Sequence, residues 1–370
     1  MKIAIINNLY KPYQKGGAEK VCEKIISDLQ DQNIPVFVIT TKPKNLFKTN
    51  TEPKTYYLNS NYYNLEKKSL LYRLFWQIGN FYNFNQSKKL IEIIKEERPT
   101  LVLTNNLMGI GWKTFKIIKK LNIKHHHILH DIQLIHPSGL MFFGKEKKIN
   151  SIIAKIYQKL IKKIIGSPDL IISPSNWLLQ EHLERNYFPN SQSKIQKNPK
   201  PFSSIENLKL DNVKKDKEII NFLFIGQIAQ HKGIVFLINT FKKINDTKIN
   251  LTIIGDGPLL EKIKLISQDD KRIKILGKKN KEEIALELQK NDGLIVPSSC
   301  YENSPTVIYE AQAFSLPIIA SNLGGIPELL NSDNDLLFHP NNEKDLIEKI
   351  NTLIKKIKNT KTIDKNNILL

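Results

Sequence analysis

Residues 293–330 read GLIVPSSCYENSPTVIYEAQAFSLPIIASNLGGIPELL, and this stretch decides the fold. Gly293–Pro297 and Pro317–Ala320 are short apolar runs, as expected of strands buried on both faces of a sheet. Between them, Pro305–Phe314 has the apolar spacing of a helix. A strand, a helix and a second strand in this order predict parallel strands covered by the helix.

The same alternation runs along the whole chain and predicts an α/β protein. Amphipathic stretches such as Ala18–Gln30 and Gln86–Glu97 lie between the apolar runs. The predicted strands are, in order, Lys2–Ile6, Val36–Thr40, Thr55–Leu58, Leu101–Thr104, His127–His130, Leu170–Ser173, Ile220–Ile225, Asn250–Ile254, Arg272–Leu276, Gly293–Pro297, Pro317–Ala320 and Leu336–Phe338.

A polar, lysine-rich stretch with prolines, Asn190–Glu218, divides these strands into two series and predicts a linker. A chain of 370 residues is long enough for two domains. We therefore expect domains at residues 1–200 and 201–370, each a Rossmann-like, doubly wound parallel sheet. Ligands would then bind in a cleft between the domains, at the carboxyl ends of the strands.

The chain is strongly basic, with 56 Lys and Arg against 36 Asp and Glu, and a formal net charge of +20. This charge predicts attraction to phosphates. The phosphates could belong to nucleic acid, to an anionic membrane surface or to a phosphorylated donor, and the charge alone does not choose among them.

Cysteine usage and the apolar runs indicate a cytoplasmic protein. Cys22 and Cys300 are far apart and form no disulfide or zinc pattern, which favours a reducing compartment. The apolar run after Met1 is too short for a signal peptide. No apolar run approaches the ~18 residues of a membrane span.

A glycine pair, Gly16-Gly17, follows the first strand and opens a helix. Backbone N–H groups at such a point can approach an anion closely, although a plain turn explains the pair equally well. The chain has neither G-x-G-x-x-G after a strand nor G-x-x-x-x-G-K-[ST]. Both absences count against a dinucleotide site and against a P-loop NTPase.

The helix at Pro305–Phe314 predicts a second anion site. Ser304 suits the N-cap and Pro305 suits the first helical position. The N–H groups near Thr306 and Val307 then have no acceptor within the helix, so its amino end attracts negative charge.

Two glutamates lie near this helix end. Glu302 precedes it in the loop, and Glu310 falls in its second turn among apolar residues. A partly buried carboxylate needs a partner, and the hydroxyl pair of a ribose would satisfy one. Taken singly, both could equally be solvated surface acids.

Together the motifs resemble those of glycosyltransferase family 4 (glycosyltransferase group 1), whose members are retaining and have the GT-B fold. The resemblance rests first on E-x7-E at Glu302 and Glu310, which runs into E-A-x-A-x-x-x-P, and on G-G-x-P-E at Gly324–Glu328. Further matches, in the family's order, are Gly16–Glu19, His130-Asp131, Ile172–Trp177, Gly226–Gly233 and Gly255–Pro258.

The resemblance implies a nucleotide-sugar donor, with no other cofactor and no metal. Lys232 would pair with the donor diphosphate, and Gly16 and Gly17 would leave room for it. Gln227 stands where the family usually has Arg, so the charge rests on Lys232 and the helix end, which includes Ser304, Pro305, Thr306 and Val307.

The remaining roles implied by the resemblance concern the nucleoside and the sugar. Glu310 would bind the ribose, and Gly277 and Lys278 would lie near the base. Glu302 and His130 would face the transferred sugar, in a front-face displacement without a protein nucleophile. The acceptor would be a glycan or a lipid-linked glycan, in the synthesis of cell-surface polysaccharide or lipopolysaccharide.

Two patterns admit other roles. His125-His126-His127 suggests a metal site, but alternate residues of a strand face opposite ways and cannot converge on one ion. Cys300 suggests a nucleophile, but no base accompanies it, and a small apolar filler is the better interpretation.

Lys145–Lys163 combines lysines with an apolar stripe of isoleucines and Leu160. We expect the stripe to pack on the sheet. We expect the lysines to attract an anionic membrane surface, which would make the protein peripheral on its inner face.

Two alternative functions stay open on the sequence alone. A nucleotide-sugar epimerase of the same fold would share the donor half, and assays of sugar transfer against epimer formation distinguish the two. A basic nucleic-acid-binding protein would use the +20 charge, but no recognised nucleic-acid motif is present.

Overall fold

A computed structural model describes residues 1–13, 16–43, 52–199 and 218–366. The chain divides into two compact units. One comprises Met1–Leu140 and Glu146–Pro199, and the other comprises Met141–Lys145 and Lys200–Leu370. Each unit is a Rossmann-like parallel sheet flanked by helices, as predicted.

The first unit contains a seven-stranded sheet in which every strand pairs in parallel with its neighbour. The strand order is β3-β2-β1-β4-β5-β6-β7. The strands are β1 (Ile3–Ile6), β2 (Val36–Pro43), β3 (Thr55–Ser60), β4 (Leu101–Thr104), β5 (Lys124–Ile128), β6 (Leu170–Ser173) and β7 (Gln192–Ile195). The α-helices are α1 (Gly17–Asp31), α2 (Leu70–Tyr82), α3 (Phe84–Glu97), α4 (Thr114–Lys120), α5 (Ile152–Ile165) and α6 (Asn176–Leu183).

The second unit contains a six-stranded parallel sheet in the order β10-β9-β8-β11-β12-β13. Its strands are β8 (Ile220–Ile225), β9 (Ile249–Ile254), β10 (Ile273–Gly277), β11 (Gly293–Val296), β12 (Ile318–Ser321) and β13 (Leu336–Phe338). Its α-helices are α7 (Ile234–Lys242), α8 (Leu260–Ser267), α9 (Lys281–Lys290), α10 (Thr306–Ala313) and α11 (Glu343–Asn366).

Apolar layers cover both faces of the second sheet. Phe222 and Phe224 of β8 belong to one buried cluster, whereas Leu223 belongs to another on the opposite face. Alternation of this kind follows from the two-residue period of a strand. It explains why the strands of this unit are continuous apolar runs in the sequence.

Two strand predictions in the first unit were wrong. The strand predicted at His127–His130 is β5, which runs from Lys124 to Ile128 and pairs with β4 from Lys124 to His127. The start of the predicted linker forms β7, which the sequence pattern does not reveal because all four of its residues are exposed. The linker residues 200–217 lie outside the described residues.

The apolar stripe of α5 was also assigned to the wrong face. Of the predicted stripe, Ile149, which precedes α5, is buried, but Ile152, Ile153, Ile156 and Leu160 are exposed rather than packed on the sheet. A second apolar series with helical spacing takes the inward face: Tyr157, Ile161, Ile164 and Ile165. None of the described helices is both long enough and apolar enough to cross a membrane.

Candidate active-site residues in the two units

The order of the second sheet reverses beside β8, which pairs with β9 on one side and β11 on the other. The loops that follow β8 and β11 therefore lie next to each other at the carboxyl edge of the sheet. The N–H of Ser299 joins them by donating to the carbonyl of His231 at 3.0 Å. Doubly wound sheets bind their ligands at such a switch point.

An ion pair joins the two loops. The Lys232 ammonium lies 2.7 Å from Oε2 of Glu302, and the Ser298 hydroxyl donates to the other carboxylate oxygen. Burial works to lower the pKa of Lys232, but the charge and hydrogen bond of Glu302 raise it. Burial works to raise the pKa of Glu302, but Lys232 lowers it. Both groups are therefore charged at neutral pH.

Two glycines hold the loops that carry this pair. Gly233 has a φ of +69°, and a Cβ added there would lie 1.7 Å from the carbonyl oxygen of Pro297. Gly324, of the G-G-x-P-E motif, has a φ of +61°, and an added Cβ would lie 2.3 Å from the Glu302 carbonyl oxygen. Only glycine fits both positions. No particular role for either residue follows from the sequence alone.

A short segment between β5 and α5 belongs to the second unit and also supports the Glu302 loop. Phe142 forms an antiparallel bridge with Cys300, and the N–H of Tyr301 donates to the carbonyl of Met141 at 2.8 Å. No motif marks this pairing in the sequence. Burial raises the pKa of Cys300 to about 12, so its thiol stays neutral and serves as a buried filler rather than a nucleophile.

The helix after Glu302 begins one residue later than predicted. Pro305 occupies the N-cap and α10 starts at Thr306. Ser304 does not cap the helix, because its hydroxyl lies 2.8 Å from the Tyr309 hydroxyl. The predicted amino end at Thr306 and Val307 is otherwise as expected, and the helix also carries Glu310, which is 4% exposed.

The remaining predicted donor residues of this unit lie at the same edge of the sheet. Gln227 is exposed in the loop after β8. Gly277 ends β10, and its carbonyl accepts from the N–H of Gly255 at 2.9 Å. Lys278 follows and is exposed. The structure therefore collects the loops after β8, β9, β10 and β11 at one edge.

In the first unit, the predicted glycine pair opens α1. Gly16 is the N-cap and Gly17 is the first helical residue. The N–H of Gly16 donates to the Glu19 carboxylate at 2.7 Å, and Glu19 is buried. The Glu19 side chain of the G-G-A-E motif thus accepts from one of the N–H groups at the start of the helix.

His130 and Asp131 lie just beyond the carboxyl end of β5. His130 Nε2 lies 2.8 Å from Oδ1 of Asn105, and burial lowers the pKa of His130 to about 4, so the imidazole is neutral. Burial and the nearby charge of Glu19 raise the pKa of Asp131 to about 7, although the N–H of Gln133 donates to it. A carboxyl group perturbed in this way is a functional-site candidate. In the sequence, Asp131 stands out only as part of the H-D motif.

The histidine triplet alternates across β5, as predicted. His125 and His127 each have a ring nitrogen 2.8 Å from the Thr104 hydroxyl, and the His126 side chain makes neither contact. Phe115 packs edge-on against both His125 and His127. Within the described ranges, no three His, Cys, Asp or Glu residues are grouped so that they could hold a metal ion.

Comparison with protein families identifies the chain. Residues 15–199 match the model of Glycosyltransferase Family 4, and residues 205–369 match that of Glycosyl transferases group 1. The chain therefore belongs to glycosyltransferase family 4, which confirms the resemblance found in its motifs. Of the functions left open by the sequence, membership favours the sugar-transferring enzyme over the epimerase and the nucleic-acid-binding protein.

Relatives and solved structures agree with this assignment. An uncharacterized 42.6 kDa protein from the cps region of Klebsiella pneumoniae is 28% identical over 339 residues, which cover 89% of this chain and 87% of that one. The apo lipopolysaccharide outer core galactosyltransferase WaaB has a TM-score of 0.66 at 18% identity, covering 96% of this chain and 91% of its own. Alr3699/HepE of Anabaena, solved with UDP and glucose, has a TM-score of 0.65 at 17% identity, covering 96% and 90%. These structures confirm the GT-B fold.

Proposed function

We propose that the protein is a retaining glycosyltransferase that moves a hexose-type sugar from a UDP- or GDP-sugar to a glycan or lipid-linked acceptor. The Lys232–Glu302 pair at the switch point of the second sheet carries the proposal. The UDP and glucose of the similar Anabaena structure support a nucleotide-sugar donor. The similar galactosyltransferase supports a role in lipopolysaccharide or other cell-surface polysaccharide synthesis. The free, buried Cys22 and Cys300 are consistent with a cytoplasmic location.

The donor diphosphate is assigned to Lys232 and the amino end of α10. An ammonium has three N–H donors, and one of those on Lys232 is used by Glu302. The others can reach phosphate oxygens, together with the N–H groups of Thr306 and Val307, which lack acceptors within the helix. Gln227 can add a hydrogen bond but no charge.

The same assignment accounts for the rest of the nucleotide. Glu310, buried on α10, binds the ribose hydroxyls, and the turn at Gly277 and Lys278 lies near the base. The Gly16–Gly17 pair of the first unit leaves room for the diphosphate. No metal and no further cofactor takes part in the proposed reaction.

The chemistry needs stabilisation of the leaving group. As the bond between the anomeric carbon and the diphosphate breaks, negative charge grows on the phosphate oxygen, and Lys232 and the helix end oppose it. The acceptor hydroxyl attacks from the face that the diphosphate leaves and passes its proton to the departing phosphate oxygen, so the configuration is retained and the nucleoside diphosphate is released. His130 and Glu302 are assigned to the transferred sugar, and the neutral imidazole of His130 can donate or accept a hydrogen bond.

The proposal gives Glu302 two roles. It is assigned to the transferred sugar, and its carboxylate also accepts from the Lys232 ammonium, with Ser298 holding its second oxygen. Replacing Glu302 by glutamine keeps an oxygen that can accept from Lys232 but removes the carboxylate charge that competes with phosphate for the ammonium. We therefore expect Glu302→Gln to keep the affinity for nucleoside diphosphate within a few-fold while it lowers the rate of transfer.

Calorimetric titration of UDP and of GDP tests the assignment. Glu310→Gln should weaken binding of the preferred nucleotide at least about tenfold, since a hydrogen bond to a charged group is worth about 1.5–3 kcal/mol. Glu261→Gln, an exposed acid on α8, is the control and should change nothing. The roles are wrong if Glu302→Gln loses nucleotide affinity and Glu310→Gln keeps it. Absence of binding by either nucleotide would reject the donor class.

A further inference from the structure

The outward face of α5 is apolar where a surface helix is normally polar. Ile152 and Ile153 are each 79% exposed, Ile156 is 56% exposed and Leu160 is 46% exposed. Exposed apolar side chains that occur singly need no explanation, but a stripe of four on one helix marks an interaction surface. We call these four residues the α5 stripe.

Lysines run beside the α5 stripe. Lys155, Lys159 and Lys163 are exposed, and at ~100° per residue they lie on a strip next to the isoleucines. Lys162 is not part of this strip, because its ammonium donates to the carbonyl of Arg185 at 2.9 Å. The helix contains no Asp or Glu, so nothing on it neutralises the three lysines.

A second helix, which contacts α5, also exposes large apolar side chains. Leu71 and Phe75 of α2 are 69% and 72% exposed, and α2 also lacks acidic residues. Phe81 of α2 packs against Tyr157 of α5 with ring centroids 5.6 Å apart, so the two helices adjoin within the first unit. Among the described residues, most of the strongly exposed large apolar side chains lie on these two helices.

We propose that the α5 stripe and its lysines form a docking surface for an anionic lipid bilayer. The isoleucines enter the boundary between headgroups and acyl chains, and the lysines bind anionic headgroups. The charges favour a bilayer over a second copy of the same face. Antiparallel pairing of two such helices would set Lys155, Lys159 and Lys163 of one copy against those of the other. The docking does not depend on the donor chemistry, so its tests use no nucleotide sugar.

A fluorescent probe tests insertion directly. An environment-sensitive dye on Ile153→Cys should shift to the blue when vesicles of phosphatidylcholine with phosphatidylglycerol are added. The same dye on Leu265→Cys, which is also exposed but lies on α8, should not shift. The natural Cys22 and Cys300 are buried and should not be labelled. A probe at residue 153 that is already blue-shifted without vesicles would overturn the proposal. Dependence on protein concentration would then indicate a second copy, and independence would indicate another part of the chain.

Vesicle sedimentation with matched variants tests separately the contributions of the lysines and of the α5 stripe to membrane binding. Lys155→Gln/Lys159→Gln/Lys163→Gln should lower partitioning onto anionic vesicles by about two orders of magnitude at low salt. Each lysine near the surface contributes a factor of about five, and the three factors multiply. The control is the equal charge change on α4, Lys116→Gln/Lys119→Gln/Lys120→Gln, whose lysines are also exposed.

The apolar component has its own pair of variants. Ile153→Ser/Ile156→Ser should lower partitioning about tenfold or more, whereas Ile195→Ser/Leu265→Ser, which alters exposed residues elsewhere, should not. Unchanged thermal midpoints verify that the variants fold. The proposal is overturned if the wild-type chain ignores anionic vesicles, binds neutral vesicles as well, or loses as much binding in either control as in its test variant.

Discussion

Replacing Lys232 by methionine tests the grip on the leaving group. Methionine keeps most of the length and the apolar stem of the side chain but removes the ammonium. In the structure that ammonium lies 2.7 Å from Glu302, whose side chain is only 11% exposed. The substitution therefore leaves a largely buried carboxylate without its cation.

The substitution should lower both the stability of the protein and its turnover. Breaking a fully buried pair costs about 3–5 kcal/mol, and because about a quarter of the Lys232 side chain is exposed we expect ~1–3 kcal/mol of lost stability. In the reaction, removal of one preorganised donor from a developing charge lowers turnover by about two to three orders of magnitude. Gln227 cannot compensate, because it carries no charge.

The control is Lys242→Met. Lys242 is the last residue of α7, the helix that begins just after Lys232. Lys242 lies 2.7 Å from Asp269 and its side chain is 31% exposed, so the geometry of the pair is similar but its partner is mostly exposed. We expect a loss of at most about 1 kcal/mol and turnover within about twofold of wild type. Release of nucleoside diphosphate from the donor and urea unfolding measure both effects. Turnover of Lys232→Met within a few-fold of wild type would refute the placement of Lys232 at the leaving group.

Acid titration gives an independent readout of the same pair. Because the folded-state pKa of Glu302 is lowered from its ordinary value of 4.5, its pairing stabilises the protein above that pH. This contribution is lost as the pH falls through the folded-state pKa. The Lys232→Met variant should not show this loss of stability as the pH falls. If its stability depends on acid pH in the same way as that of the wild-type protein, the lowered pKa of Glu302 is wrong.

Two further predictions concern a glycine and a buried acid. Gly324→Ala and Gly166→Ala both place alanine at a φ near +60°, where an L residue is strained, but only the first collides with the Glu302 loop. Both variants should therefore lose stability in urea unfolding, and only Gly324→Ala should lose turnover; equal losses of turnover in the two variants would contradict a role for this contact. Asp131→Asn should raise stability above pH 7 and leave it unchanged near pH 4, because the raised pKa of Asp131 makes the wild-type protein less stable as the pH rises from 3.8 toward 7. Parallel stability–pH curves for the two proteins would contradict this.

Most strands were predictable because burial on both faces leaves a local apolar signal. The bounds of β4, β6, β8 and β13 agree with the predicted ones. The edge strand β7 left no such signal, because its pairing with β6 uses the backbone and its side chains are exposed. The start of β5 was predicted at His127 instead of Lys124 because His125 and His126 are polar residues, although His125 is buried with its ring 2.8 Å from the Thr104 hydroxyl.

The candidate site was predictable only as a list of motifs. Lys232, Glu302 and Glu310 each stand in a recognisable pattern, so their assignment to a donor site follows from the resemblance and stays a prediction. Asp131 received no role, because its raised pKa arises from burial and from the charge of Glu19, 112 positions earlier in the chain. Burial of a single carboxyl group is not visible in a sequence pattern.

By itself the sequence determined the α/β class, the two-unit organisation and the family, because apolar periodicity and short motifs are local properties of the chain. Only the tertiary structure decided that Lys232 pairs with Glu302, that Met141–Lys145 joins the second unit, and that the α5 stripe faces outward. Helix α5 carries two apolar series, and its periodicity is compatible with burying either. The choice depends on which series meets the packed surface of the first unit, and that surface is assembled from residues distant in sequence.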